Sequence, residues 1–94
     1  MKIHHVSVPC KDTVKSKQWY SLALASIGGK VLVDNEYALG LGSAGPVLWL
    51  TKADEKYNGR YAGHVSFYAE TRAQVDAFHA AAIAAGGEDN GAPG

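Results

Sequence analysis

One short motif, His-Val-Ser, occurs twice in this 94-residue sequence, and similar residues follow both copies. The first copy is residues 5–7 and the second is residues 64–66. Laying residue 5 on residue 64 also aligns Asp12 with Thr71, and a Gly-Gly pair ends each following apolar segment within one position. An internal repeat of this kind predicts two copies of one structural module.

The first copy predicts a module of the order βαβββ. Residues 3–8 alternate in the manner of a strand, and we expect Pro9 to close it because proline cannot donate to a sheet ladder. Asp12 is expected to cap a helix that ends at the Gly28-Gly29 pair. Three short runs of period two follow, separated by turn residues, and they predict an antiparallel meander: KVLVD, YALGLG and VLWLTK.

The second copy breaks off after one strand and one helix. The stretch GHVSFYAE predicts the strand, and Thr71 and Gln74 stand in capping-box register at the start of the helix, which Gly86-Gly87 ends. Only EDNGAPG follows. A polar segment that contains the turn signal Asn58-Gly59 separates the two copies.

We therefore predict one α+β domain over residues 1–94. Its first βαβββ module covers 1–52, a linker covers 53–62, and an incomplete second module (βα) covers 63–94. The second module lacks the three strands that complete the first, which would leave a strand edge unpaired. Proteins usually cover such an edge with another element or another chain, so we expect a homodimer.

Composition narrows the classes of function. Nine Lys+Arg balance nine Asp+Glu, giving a formal net charge of zero, so no basic surface is expected for nucleic acid. The N-terminus lacks the pattern of a signal peptide, and no segment approaches the length of a membrane span. A single cysteine, Cys10, excludes an internal disulfide. We expect a cytoplasmic protein that contacts neither membrane nor nucleic acid.

The order of elements resembles the vicinal oxygen chelate superfamily, which includes glyoxalase I, extradiol dioxygenases, fosfomycin resistance proteins and bleomycin-binding proteins. The resemblance covers nearly the whole chain and implies a C-terminally truncated member with the glyoxalase/bleomycin resistance/dihydroxybiphenyl dioxygenase-like fold. The segments that carry it are HHVSVPCKDTVKSKQWY, PVLWLT, GHVSF and VDAFHAAAIAAGG.

The resemblance also implies a metal site. In the family, metal ligands lie on the first and last strands of each module, and His5 and His64 match the two first-strand positions. The metal would be divalent: Zn, Ni, Fe or Mn. Read from the residues alone, histidines on strands are more often ordinary half-buried side chains, so both interpretations stay open.

The sequence departs from the family pattern at Trp49, which stands where metal-binding members commonly have a glutamate. An indole N–H is only a donor and cannot replace a carboxylate ligand. The other carboxylate of such sites lies on a strand that this sequence does not contain. At most two ligands are then left.

Four side chains have structural as well as functional interpretations to weigh, or a structural one alone. Trp49 and Tyr37 are expected to line a substrate pocket, although Trp49 is equally consistent with a core position, and the small residues alternating with Tyr37 leave room either for a ligand or for the first helix. Strand alternation predicts that His4 points away from His5, as an exposed or interface residue. His79 is expected on a solvated helix face.

Three hypotheses about function follow. The chain is a superfamily member of uncertain activity, related to metal-dependent enzymes of the lyase or dioxygenase type. Alternatively, it is a metal-free module whose homodimer sequesters a small molecule in a hydrophobic cup. The third hypothesis is a fragment that folds and dimerises without activity.

Overall fold

The computed structural model describes residues 1–53 and 63–93. Most of the predicted linker therefore lies outside the described residues, and the division into two modules stays a prediction. The elements are β1 (Val6–Cys10), α1 (Thr13–Leu24), a short 3₁₀ helix (Ala25–Ile27), β2 (Lys30–Asp34), β3 (Ala38–Gly42), β4 (Pro46–Lys52) and α2 (Arg72–Ala84).

The four strands form one mixed sheet in the order β1-β4-β3-β2. β2, β3 and β4 are antiparallel neighbours, as the meander predicts, and β1 pairs with β4 in parallel. A parallel pair requires a long crossover connection, which α1 and the first two strands of the meander supply here. The βαβββ order predicted for the first copy is confirmed.

The first strand begins and ends later than predicted. It runs over Val6–Cys10, so Pro9 lies within it and does not close it. Pro9 is tolerated inside β1 because this strand lies at the edge of the sheet that the described strands form. An edge strand has one side without ladder partners, and a residue without an N–H is tolerated there.

Local capping signals set the start of both helices as predicted, whereas α1 ends at Leu24 and a short 3₁₀ helix continues to the predicted stop at Gly28. The Asp12 carboxylate accepts a hydrogen bond from the Lys15 amide at 3.0 Å. Gly28 adopts a left-handed conformation with φ 79° after the 3₁₀ helix, a conformation that costs glycine least. At the start of α2, Thr71 and Gln74 form the complete capping box.

The core lies between the sheet and α1. Alternate residues of the central strands are buried on one face: Leu39 and Leu41 on β3, and Leu48 and Leu50 on β4. They pack with Val8 of β1 and Leu24 of α1. The bulky face of β3 therefore packs toward the first helix. The small residues Ala38 and Gly40 lie on the opposite face, so they do not make room for that helix.

The predicted strand GHVSFYAE is not formed. Residues 63–69 have no strand assignment, and none of the four described strands pairs with them. Phe67 packs against the core, with its ring 6.1 Å from that of Phe78 on α2. A strand exists only through its ladder hydrogen bonds, so alternation without a partner does not produce one.

The second helix packs on the first. The indole N–H of Trp19 on α1 donates to the Ala82 carbonyl on α2 at 3.0 Å. Ala82 is buried and Phe78 is half-buried, so both lie on the inward face of α2. Val75, one turn before Phe78 along α2, is 40% exposed.

Candidate functional site

The sheet face opposite α1 is the first candidate site, and we call it the open face. Because side chains alternate along a strand, the residues between the core positions point to this face. In the described part of the chain, α1 packs on the other face, and α2 contacts α1 and the 3₁₀ helix. The open face is formed by Ser7, Pro9, Ala38, Gly40, Trp49 and Thr51.

Trp49 lies at the centre of the open face. Its cross-strand neighbours are Ser7 on β1 and Gly40 on β3, which are both small. A Cβ atom added to Gly40 would lie 3.0 Å from two ring carbons of Trp49. The indole therefore lies over the Gly40 backbone, in space that a Cβ atom at residue 40 would crowd, and Trp49 remains half-buried.

This arrangement provides a flat aromatic surface with polar groups beside it. Trp49 presents an apolar ring that is partly accessible to solvent. The hydroxyl-bearing residues Ser7 and Thr51 share its face. Ligand pockets typically combine apolar and aromatic walls with a few polar groups that fix orientation. The open face has the composition of one wall of such a pocket.

Tyr37, the second predicted pocket residue, lies outside the strands. It is 75% exposed in the turn between β2 and β3. The Asn35 side-chain oxygen accepts hydrogen bonds from the amides of Tyr37 and Ala38, at 2.9 and 3.0 Å, and so fixes this turn. The place of Tyr37 in a substrate pocket stays a prediction.

His5 immediately precedes β1 and is exposed. Its Nδ1 atom lies 2.8 Å from the Nδ1 atom of His4, and the two rings meet edge to face. The predicted separation of these two side chains is wrong. Alternation applies only within a strand, and both histidines come before the first ladder residue, Val6.

His64 lies in a different setting. It is exposed at the start of the 63–69 segment and lines a cavity of about 200 Å³ between that segment, the 3₁₀ helix and α2. Ile27, Val75 and Phe78 form the apolar wall of this cavity, and His5 is not among its lining residues. The two histidines matched to the family's ligands therefore occupy separate surroundings.

The described residues do not fit a catalytic metal site of the family type. Across residues 1–53 and 63–93, no three His, Cys, Asp or Glu side chains come together in a group that could hold a metal ion. Catalytic metals usually take three protein ligands and keep one open position. Trp49, at the position where a carboxylate is expected, contributes only an N–H donor.

The carboxylate of Asp89, near the end of the chain, is already engaged. Asp89 Oδ1 accepts a hydrogen bond from the Gly91 amide at 2.9 Å and lies 3.2 Å from Nε2 of His79. These two contacts, the Gly91 amide first, hold the pKa of Asp89 below its usual range. The His79 side chain is 32% exposed, so it lies at the surface of α2, where it pairs with Asp89. The contact depends on a chain reversal after α2, and the Gly86-Gly87 stop was the only sequence signal for it.

A wider cleft lies away from the open face. It has a volume of about 580 Å³ and runs between α1 and the end of β2. Val14 and Leu22, which line it, are 66% and 58% exposed, and the Lys17–Asp34 ion pair at 2.5 Å lies beside them. The Leu22 side chain therefore points outward from α1.

Within the described residues, neither helix has the length and apolar character needed to cross a membrane.

Comparison with known proteins agrees with this fold. The family model for the Glyoxalase/Bleomycin resistance protein/Dioxygenase superfamily matches residues 2–94. A solved structure of a glyoxalase/bleomycin resistance protein from Albidiferax ferrireducens T118 is 34% identical, with a TM-score of 0.67. The match covers 87% of this chain and 68% of that one. No curated protein gives a significant match. With its βαβββ sheet and a family match over nearly its whole length, the chain belongs to the glyoxalase/bleomycin resistance protein/dioxygenase superfamily.

Proposed function

We propose that this protein binds a small aromatic or amphiphilic molecule on the open face, without a metal, and that Trp49 is the surface on which the ligand stacks. The observation that carries the proposal is the position of the Trp49 indole over Gly40, on a sheet face that neither helix covers. The lack of a three-ligand group in the described residues favours binding over metal catalysis.

We also propose that a second copy of the chain completes the site. Pockets for small molecules bury most of the ligand's surface, roughly 70–90% of it. A single sheet face contacts a ligand from one side only, so a second wall is required. A homodimer that brings two open faces together would supply that wall and would also cover the partly exposed indoles. Sedimentation equilibrium tests this directly, and a monomer at all concentrations would contradict it.

The binding proposal is tested with an anilinonaphthalene sulfonate dye, which is a small aromatic amphiphile. We expect saturable enhancement of dye emission with the wild-type protein. Trp49→Ala should weaken binding by about 3- to 10-fold, because an aromatic pair contributes about 0.5–1.5 kcal/mol beyond area burial. Trp49→Phe should restore most of the affinity.

The matched control is Leu22→Ser, which changes the apolar cleft beside α1 and leaves the open face intact. Dye affinity should stay at the wild-type value in this variant. Equal affinity of wild type and Trp49→Ala, or a loss only in Leu22→Ser, would contradict the proposal. Circular dichroism of each variant checks that the fold is retained.

A metal-dependent enzyme of the lyase or dioxygenase type is the second candidate. Its support is the family match together with the apolar cavity that His64 lines. If His5 and His64 act together, whether in one copy or across two, His5→Ala and His64→Ala should each reduce the uptake of Zn, Ni, Fe or Mn. Uptake that His64→Ala leaves unchanged would reject this candidate.

A further inference from the structure

The two adjacent histidines before β1 form an unusual contact. Nδ1 of His4 and Nδ1 of His5 are 2.8 Å apart, their ring centroids are 5.1 Å apart, and the ring planes are inclined at 84°. Both side chains are exposed. This pair lies on the N-terminal side of Val6, and neither histidine is among the residues that line the cavity of His64.

Two nitrogen atoms at this distance have two possible relationships. In one, a single Nδ1 carries a proton and donates to the other. In the other, both rings carry their proton on Nε2, and both Nδ1 lone pairs are free to bind one metal ion. Two imidazole nitrogens this close together are a ready pair of ligands for a transition metal.

We propose that His4 and His5 chelate a divalent metal through their Nδ1 atoms, and that the preferred metals are Cu(II) and Ni(II). This site differs from the one implied by family resemblance, since it uses His4 and needs neither His64 nor a carboxylate. It is also independent of the proposed binding of small molecules to the open face.

The distance between the two Nδ1 atoms favours one coordination geometry of the metal over another. With metal–nitrogen bonds of about 2.05 Å, two atoms 2.8 Å apart subtend about 86° at the metal. Neighbouring ligands in a square-planar or tetragonal complex are separated by about 90°, whereas those in a tetrahedron are separated by about 109°. A tetrahedral zinc site would require the two nitrogens to be about 3.3 Å apart. The pair is therefore set for tetragonal Cu(II) or Ni(II) more than for tetrahedral Zn(II).

Exposure leaves the remaining coordination positions free. His4 and His5 precede the first strand residue, so water or an exogenous ligand completes the coordination. Two protein ligands are fewer than a closed structural site would have. The site is expected to bind and exchange metal rather than to stabilise the fold.

The test is a Cu(II) titration of protein acetylated at its N-terminus, which removes the Met1 amine as a competing ligand. Electron paramagnetic resonance should show a tetragonal Cu(II) signal with coupling to two nitrogens. His4→Ala and His5→Ala should each lower the affinity by about tenfold or more, because one ligand of the pair is lost. Ni(II) should bind more tightly than Zn(II).

The chain supplies two matched controls, His64→Ala and His79→Ala, which remove imidazoles elsewhere. Both should bind Cu(II) as the wild type does. Affinity and spectrum unchanged by His4→Ala would overturn the proposal, as would an equal loss in His64→Ala or tighter binding of Zn(II) than of Ni(II). A dependence on His5 and His64 but not on His4 would instead support the family-type metal site.

Discussion

Gly42 offers the sharpest test of how the sheet positions Trp49. It is the last residue of β3, next to an irregularity in the pairing with β4, and its partner there is Pro46. A methyl group added to Gly42 would lie 1.9 Å from the Gly45 carbonyl oxygen. We predict that Gly42→Ala forces the β3–β4 turn open, since no side-chain rotation relieves a clash with backbone.

The size of the effect follows from that distance. A carbon and an oxygen that are not bonded approach no closer than about 3.3 Å, so the turn must open by more than about 1 Å. Overpacking in a close-packed region costs about 1–3 kcal/mol and occasionally more. Because the obstacle is backbone, we expect about 3 kcal/mol. A domain of this size has a total stability of about 5–14 kcal/mol, so the loss is a large fraction of it.

Urea denaturation followed by circular dichroism measures the change in the free energy of unfolding. Gly45→Ala is the matched control, three residues along the same turn, because a Cβ there meets nothing within 4 Å. Trp49 emission should also shift in Gly42→Ala, since β4 carries the indole. Free energies of unfolding that agree within about 0.5 kcal/mol for the two variants would refute the reasoning.

Three further predictions concern stability and ionisation. Leu50→Ala removes a fully buried side chain and should cost about 2–5 kcal/mol in thermal or urea unfolding, whereas Val47→Ala, at a position 54% exposed, should cost far less; equal losses would contradict the assigned core. Thr71→Ala removes the cap of α2 and should cost about 0.5–2 kcal/mol, and an unchanged unfolding midpoint would be evidence against the capping box. The Asp89 pKa is lowered in the folded chain. The Asp89 contacts therefore contribute to folding stability above the ordinary carboxyl pKa of about 3.9, and this contribution is lost as the pH falls through the lowered value. Carbon-13 titration of the Asp89 carboxyl should show this, with a partial return towards the ordinary value in His79→Ala, and an ordinary pKa in the wild type would contradict it.

Local signals in the sequence predicted the helices and the meander. Asp12 and Thr71 act through hydrogen bonds to residues three positions away, and Gly28 acts through its own backbone conformation. The strands after Gly29 pair with their sequence neighbours, so their turns specify most of the arrangement. Features determined within a few residues are those that a sequence pattern can report.

Features that depend on distant partners were predicted less well. The alternation in residues 63–70 resembles that of β1, but only β1 has a neighbouring strand among the described residues. Pairing with a distant strand also sets the start of the first strand, which is Val6. His4 and His5 lie before it, so strand alternation does not determine where their side chains point. The pairing of His79 with Asp89 required knowledge of how the chain reverses after α2.

The candidate site was predictable in part. Alternation along β4 places Trp49 on the face opposite Leu48 and Leu50, and the repeated small residues of β3 indicated space on that face. The register that puts Gly40 beside Trp49 could not be read from sequence, because it depends on a pairing irregularity near Gly42. Tyr37 was placed by strand period, yet the strand begins only at Ala38.

The most direct test of the central claim uses the two indole N–H signals in a nitrogen–proton NMR spectrum, assigned with Trp49→Phe. During titration with the anilinonaphthalene sulfonate dye, the Trp49 signal and the amides of Ser7 and Thr51 should shift together and saturate. The Trp19 signal, whose N–H is bonded to the Ala82 carbonyl between the helices, should stay in place. Shifts confined to the α1 cleft, or a Trp49 signal that does not move at saturation, would contradict binding on the open face.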